Sequence, residues 1–259
     1  MLAFTPIGII HSCFREKFGI PRQPGLVPAA RATLELLPPY NQPATVRGLE
    51  GFSHVWLVFV FHGIPAGHWQ PTVRPPRLGG NRRLGLFATR TPFRPNPIGL
   101  SVVRLERVAI NRGQVTLHLT GIDLLDETPV LDIKPYLPYV DCIPTATGGF
   151  ATELPVPGIT VEFSPEAATV CAAWSSVNLR ELITQLLAQD PRPAYERADP
   201  DSRCYGMKLF DFDVRWEMRD GLVYVMEIVP IEKAGSVPTP ADESPHPADR
   251  PGWPPSAGQ

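Results

Sequence analysis

Leu84-Gly-Leu-Phe-Ala-Thr-Arg-Thr-Pro-Phe-Arg-Pro-Asn-Pro-Ile-Gly-Leu-Ser101 starts as an apolar, strand-like run. It passes through a loop stiffened by Pro92, Pro95 and Pro97, then returns to strand at Ile98. Each proline fixes φ at about −65° and biases its predecessor toward extended geometry, so Thr91, Arg94 and Asn96 lose most of their freedom. The loop thereby holds Arg90 and Arg94 ready for a ligand, since groups ordered in advance lose less entropy on binding.

Outward from this segment, residues 1–163 read as mostly strand. Phe4–Ile10 is apolar, and Val55-Trp-Leu-Val-Phe-Val-Phe61 has the composition of a strand buried on both faces. Leu84–Thr89, Leu100–Val108, Val115–Leu119 and Val130–Lys134 are further β-rich runs, several alternating with period two. Asn111-Arg112-Gly113 and the Pro71–Gly80 segment supply turns, and only Pro28–Leu37 looks helical. Many short strands divided by Gly/Pro turns predict a β-barrel or closed sandwich.

A second unit is expected from Ser164. Ser164-Pro165-Glu166 is a helix start with serine at the N-cap and proline at the first helical position. Asn178 caps a second helix with Leu179, Leu182, Ile183, Leu186 and Leu187 on one face. Phe210–Trp216 alternates, and Asp220-Gly221 turns into Leu222–Ile231. The fold class is therefore mainly β: an N-terminal barrel over 1–163 and a small α+β domain over 164–233. The 26 residues from Ala234 hold seven prolines and no apolar pattern, and read as a disordered tail.

At 259 residues with 43% hydrophobic content, the chain can bury a substantial core. No apolar run approaches the roughly 20 residues of a membrane span, and Met1–Phe4 lacks the charged start of a leader, so a cytoplasmic protein without a membrane partner is expected. Cys13, Cys142, Cys171 and Cys204 are scattered without a CxxC pair, and the six histidines lack ligand spacing, so no metal is expected. Residues 1–163 carry 15 Lys/Arg against 11 Asp/Glu, net +4, whereas 164–259 carry 9 against 15, net −6. A polyanion therefore belongs with the first unit.

No GxGxxG or Walker loop is present, so a nucleotide is not held in the Rossmann manner. Three segments have chemical content. Arg22 and Gln23 sit between prolines in Phe18–Gly25, offering a planar donor fork and a donor–acceptor amide. Phe61-His62 lies where an apolar strand runs out into a loop. Gly121–Pro129 packs Asp123, Asp126 and Glu127 closely, suited to ribose hydroxyls, a cationic ligand or a base.

Ile7–Ser12, Pro21-Arg-Gln-Pro-Gly25, Gly51-Phe-Ser-His-Val-Trp56, Pro75–Gly80, Ala88–Ser101 and Asp132–Asp141 together resemble the TsaA-like (YaeB/VirR) family. Asp190-Pro-Arg-Pro-Ala-Tyr195 and Phe210–Trp216 resemble that family's C-terminal domain. The resemblance covers residue 4 to about 231. It implies a non-Rossmann β-barrel methyltransferase, usually a homodimer, that uses S-adenosylmethionine to methylate N6 of threonylcarbamoyl-adenosine beside the tRNA anticodon, with threonine tRNA the expected acceptor. Cofactor contacts would fall on Pro21, Arg22, Gln23, Phe61, His62, Arg90, Leu100, Asp123, Leu124, Leu125 and Asp126.

Residue chemistry accords with this without dividing the work. Arg22 or Arg90 can pair with the cofactor carboxylate, Gln23 or a turn backbone group can read adenine, and the Asp123–Asp126 turn suits a diol or a cation. Asp126 and His62 are candidate bases. Arg94, or one of Arg74, Arg77, Arg82 and Arg83, would meet the substrate RNA. The acidic second unit is expected to shape the substrate cleft. A cofactor sensor without catalysis, or an enzyme with another acceptor, remains an alternative.

Overall fold

The structure, a computed structural model, describes residues 3–65, 67–155, 157–193, 196 and 203–231. The expected tail from Ala234 and the Ala194-Tyr195 end of the Asp190 motif lie outside these residues.

Six strands close into a barrel: β1 (Gly8–Ser12), β2 (Arg31–Leu36), β3 (His54–Val60), β6 (Ile98–Asn111), β7 (Gln114–Thr120) and β8 (Pro129–Pro135), in the order β1-β2-β7-β6-β3-β8 with antiparallel neighbours. Two short strands, β4 (Thr72–Val73) and β5 (Leu84–Gly85), form a separate ribbon in the connection from β3 to β6. Inward positions follow the period of two. Ile10, Leu34, Leu57, Val103 and Leu117 are each at most 1% exposed and fill the interior.

Three expectations need correction. Pro28–Leu37 contains β2, not a helix. Its alanine, leucine and glutamate content favours helix locally, yet Ala32, Leu34 and Leu36 alternate inward and the strand is held between β1 and β7. The run Leu84–Thr89 is strand only at Leu84–Gly85, because Leu86–Ala88 winds into a 3-10 turn. Finally, β3 is fully buried on one face only; Trp56, Val58 and Val60 on the other are half-covered.

The Asn111-Arg112-Gly113 turn joins β6 to β7, with Arg112 and Gly113 at φ 51° and 85°, the sign a tight hairpin requires. A short helix, α1 (Pro138–Asp141), follows β8.

The second unit pairs β10 (Tyr205–Leu209), β11 (Phe212–Arg219), β12 (Leu222–Pro230) and β9 (Val161–Phe163) in the order β10-β11-β12-β9. Thus β9, just before Ser164, already belongs to this sheet. Helix α2 (Pro165–Ala173) begins as expected, with the Ser164 hydroxyl accepting from Ala167 N–H at 3.0 Å. Helix α3 (Leu179–Ala188) is capped by Asn178, which accepts from Glu181 N–H at 3.1 Å, and it buries all five residues assigned to its apolar face. The Asp220-Gly221 turn connects β11 to β12. The Phe210–Trp216 strand starts two residues late, at Phe212, because Phe210 takes φ 53° and opens the β10–β11 turn. Core residues of both units form one continuous cluster, and Phe14 of the first unit bridges Leu209 of the second.

Candidate functional site

The antiparallel order brings one set of strand ends to a single rim. There β1, β3 and β7 end, and β2, β6 and β8 begin. Every residue assigned to the cofactor lies on this rim or on a loop that reaches it.

The loop preceding β2 is pinned by Gly25 N–H to the Gly121 carbonyl at 2.8 Å. Gly121 has φ 71°, and a Cβ there would stand 3.2 Å from Gly25 Cα, so the two glycines allow the loops to touch. This contact sets Pro21–Gln23 beside the Gly121–Thr128 turn. Pro21 is buried, Arg22 is exposed and Gln23 is half-buried.

The Pro-stiffened loop then closes over them. Arg90 donates through Nη1 to Gln23 Oε1 at 2.6 Å, and the Gln23 amide donates to the Arg22 carbonyl. From the start of β6, Ser101 donates to Asp123 Oδ1 at 2.7 Å. Ser101 is 2% exposed, on the inward side of β6 with Gly99 and Val103. Burial pushes the Asp123 carboxyl up to about 6, against the Ser101 bond, its own backbone and the nearby Arg90 charge, all of which pull it down. Asp123, Arg90, Gln23 and Ser101 thus form one polar group at the rim.

Phe61 and His62 leave β3 on the same side. Phe61 N–H donates to the Pro97 carbonyl at 2.8 Å, and its ring meets Phe59 edge-on at 5.1 Å. His62 is exposed. Gly99 is required here, since a Cβ would stand 2.2 Å from the Phe59 ring. Leu100 is 53% exposed beside it. On the turn, Leu124 is buried and its carbonyl accepts from Ser12 Oγ at 2.8 Å, while Leu125 is half-buried. Lys17 Nζ reaches the Gly63 carbonyl at 2.5 Å, tying the segment after β1 to the loop after β3.

Asp126 differs from Asp123. Its Oδ1 accepts from Ser12 N–H at 2.9 Å, and its Oδ2 is held by Arg15. With one donor on each oxygen, it braces the turn against the segment after β1.

The residues assigned to RNA lie on the β4–β5 ribbon and the loop. Arg74, Arg77, Arg82 and Arg83 are exposed. Arg83 donates to Thr72 Oγ1 at 3.0 Å, and Arg77 to the Glu153 carbonyl. Arg94 turns back onto its own loop, donating to the Thr89 carbonyl at 2.9 Å and lying over the Phe87 ring, 5.6 Å from its centre. Arg192 of the second unit is buried and paired with Asp190 at 2.8 Å.

Sequence reasoning missed Ser101, Ser12 and Arg15. The available signal for Ser101 was a hydroxyl on the apolar face of an alternating strand. Nothing local marked Arg15, whose partners lie 111 and 195 residues away.

This closed barrel, with polar loops gathered at one rim and an appended α+β unit, defines a non-Rossmann, barrel-based ligand-binding protein. Residues 9–142 match the tRNA-methyltransferase O N-terminal domain and residues 157–231 the TrmO C-terminal domain, and the chain belongs to that family. It is 48% identical over 231 residues to the tRNA (adenine(37)-N6)-methyltransferase of Escherichia coli (strain K12), covering 88% of this chain and 97% of that one. It is 55% identical over 229 residues to a putative S-adenosylmethionine-dependent methyltransferase, RcsF, of Pseudomonas aeruginosa, covering 86% and 96%. A crystal structure of TrmO from the same species superposes with a TM-score of 0.73 at 47% identity, covering 89% of this chain and 97% of that one.

Proposed function

We propose that this chain is an S-adenosylmethionine-dependent tRNA (adenine-N6)-methyltransferase acting on adenine 37; one relative's name states the action on tRNA adenine 37 and another's the dependence on S-adenosylmethionine. In the finer reading, the acceptor is threonylcarbamoyl-adenosine in threonine tRNA, and the protein works as a cytoplasmic homodimer. The carrying observation is the Gln23–Arg90–Asp123–Ser101 group, which gathers a guanidinium, an amide and a carboxylate at one rim. These fit the cofactor by chemistry: a guanidinium for its carboxylate, an amide for adenine, and an acid for a diol or cation.

When bound, S-adenosylmethionine supplies an electrophilic methyl carbon for in-line attack by N6. The rim residues bind and align it, and alignment is worth about 7–11 kcal/mol in well-oriented reactions. The acceptor N6 lone pair is delocalised into the purine and the threonylcarbamoyl carbonyl, so its proton must leave before or during transfer. A base contributes about 10²–10⁴-fold to such a step. Asp126, which already meets Ser12 and Arg15, and His62, exposed where β3 runs into its loop, are the two candidate bases in this reading. The arginines of the β4–β5 ribbon meet the phosphates and the threonylcarbamoyl carboxylate.

The test is incubation of the purified protein with S-adenosylmethionine and tRNA, with or without the threonylcarbamoyl group, followed by mass spectrometry of digested nucleosides. The expected result is a methyl gain confined to threonylcarbamoyl-adenosine. Gain on unmodified adenine would remove the finer reading. No gain on either tRNA, with cofactor binding retained, would leave a sensor or an enzyme with a different acceptor.

A further inference from the structure

After β1 the chain leaves the barrel and runs against the second sheet. Phe14 forms an antiparallel bridge with Leu209, and Phe210 N–H donates to the Cys13 carbonyl at 2.8 Å. The next residue, Arg15, reaches both units. Its Nη1 holds Asp126 on the Gly121–Thr128 turn, Nε donates to the Phe210 carbonyl at 3.2 Å, and Nη2 lies 3.6 Å from Asp211 Oδ1. The turn is fixed to the same segment by Asp126 N–H on the Phe14 carbonyl at 2.9 Å and by Ser12 N–H on Asp126 Oδ1 at 2.9 Å.

We propose that Arg15 is a positioning residue, registering the Asp123–Asp126 turn against the β10–β11 hairpin so that docking of the second unit sets the geometry of the cofactor rim. The inference rests on the reading of that turn as a cofactor contact. Only a guanidinium suits the position. Its planar fork serves a carboxylate on one side and a carbonyl on the other, whereas a lysine ammonium is a point charge. The Asp126 side is the stronger one: that carboxylate is 11% exposed, against 59% for Asp211, so solvent screens the outer pair. The acidic unit then has a task that needs no attraction to RNA: it supplies a fixed wall for the acidic turn.

The full-length protein tests this with Arg15→Ala, Arg15→Lys, Asp126→Asn and the double variant R15A/D126N. Gln185→Ala serves as control, because Gln185 Oε1 accepts from Ala29 N–H at 2.9 Å and so joins the two units away from the turn. R15A should raise the KM for S-adenosylmethionine about tenfold or more, as expected for losing a hydrogen bond to a charged group, with the tRNA KM within about twofold. R15K should recover only part of the loss, and R15A/D126N should be no worse than the worse single variant. Q185A should leave the cofactor KM unchanged. An R15A effect equalled by Q185A, full recovery in R15K, or additive losses in the double variant would overturn the proposal. Failure of the underlying reading is separately visible: Asp123→Asn and Arg90→Ala would then leave calorimetric binding of S-adenosylmethionine untouched.

Discussion

The loop connection of the barrel and the sheet of the second unit use arginine in opposite ways. From Gly51 to Leu100 the chain carries six arginines and not one aspartate or glutamate. Those with protein partners donate to neutral oxygens: Arg77, Arg83, Arg90 and Arg94 bond carbonyls, a hydroxyl or an amide. In the second unit, Arg192 pairs with Asp190, Arg203 with Glu196, Arg215 with Asp213 and Glu227, and Arg219 with Glu217. Arg180 and Arg219 lie over rings, those of Phe163 and Tyr224, 4.6 and 3.9 Å from their centres. Neutral acceptors orient a guanidinium while leaving its charge uncompensated unless an acid lies near, as Asp123 does to Arg90, whereas directly paired carboxylates cancel it. The net charges of +4 and −6 therefore understate the contrast, which depends on where each acid sits.

The largest test removes the uncompensated charge. Replacing Arg74, Arg77, Arg82 and Arg83 together by alanine should weaken tRNA binding on the order of a hundredfold at low salt and make the slope of log K against log salt shallower by about 3. Calorimetric binding of S-adenosylmethionine should stay within about twofold, because the cofactor group lies on other loops. Filter binding across a salt series measures the first effect. An unchanged slope would mean that these arginines contact no phosphate.

Asp123 presents the converse case, an acid whose charge is only partly compensated. Its folded value, about 6, lies above the 3.8 of a free carboxyl. Burial thus favours the neutral form, and the associated stability is full below the unfolded value and is lost as pH rises through about 6. Chemical denaturation of the cofactor-free protein should show a loss of up to about 2–3 kcal/mol between pH 4 and 6, and Asp123→Asn should flatten that part of the curve. If the cofactor donates a hydrogen bond to this carboxylate, its affinity rises over the same interval, opposite in sign to the stability. Parallel trends would assign the contact to the neutral acid. A smaller effect is expected for Ser101→Ala, which removes one bond to Asp123 and should lower cofactor affinity about threefold to tenfold.

Period-two strands and their hairpins were readable because both signals are local: β6, β7 and β8 each contain the expected run, and Asp220-Gly221 turns where expected. Pro28–Leu37 misled because strand identity there depends on β1 and β7, whose residues lie up to about 90 positions away in sequence. The site divides along the same line. Arg90 and the Asp123 turn announced themselves through proline spacing and clustered acids. Arg15 did not, since its function exists only once residues 126 and 210 are folded against it. The same holds for the bracing of Asp126: a sequence displays its carboxylate but not the Ser12 and Arg15 donors that meet it.

The smallest expected effect bears directly on the contrast between the two arginine sets. Arg215→Ala with Arg219→Ala removes as many positive charges from the protein as any two substitutions in the β4–β5 ribbon. If total charge governed tRNA capture, the two pairs would be equivalent. Arg215, however, lies between two carboxylates at 3.0 and 2.8 Å, and Arg219 is held by Glu217 and lies over the Tyr224 ring, 3.9 Å from its centre. A phosphate approaching either would have to compete with an acid already in place, and removing the arginine leaves that acid to repel it. The double variant should therefore bind tRNA within about twofold of the parent with an unchanged salt slope, because paired surface ions contribute little net field beyond about 8 Å at physiological salt. A loss as large as that of Arg74→Ala with Arg82→Ala would place the RNA across both units and end the distinction between them.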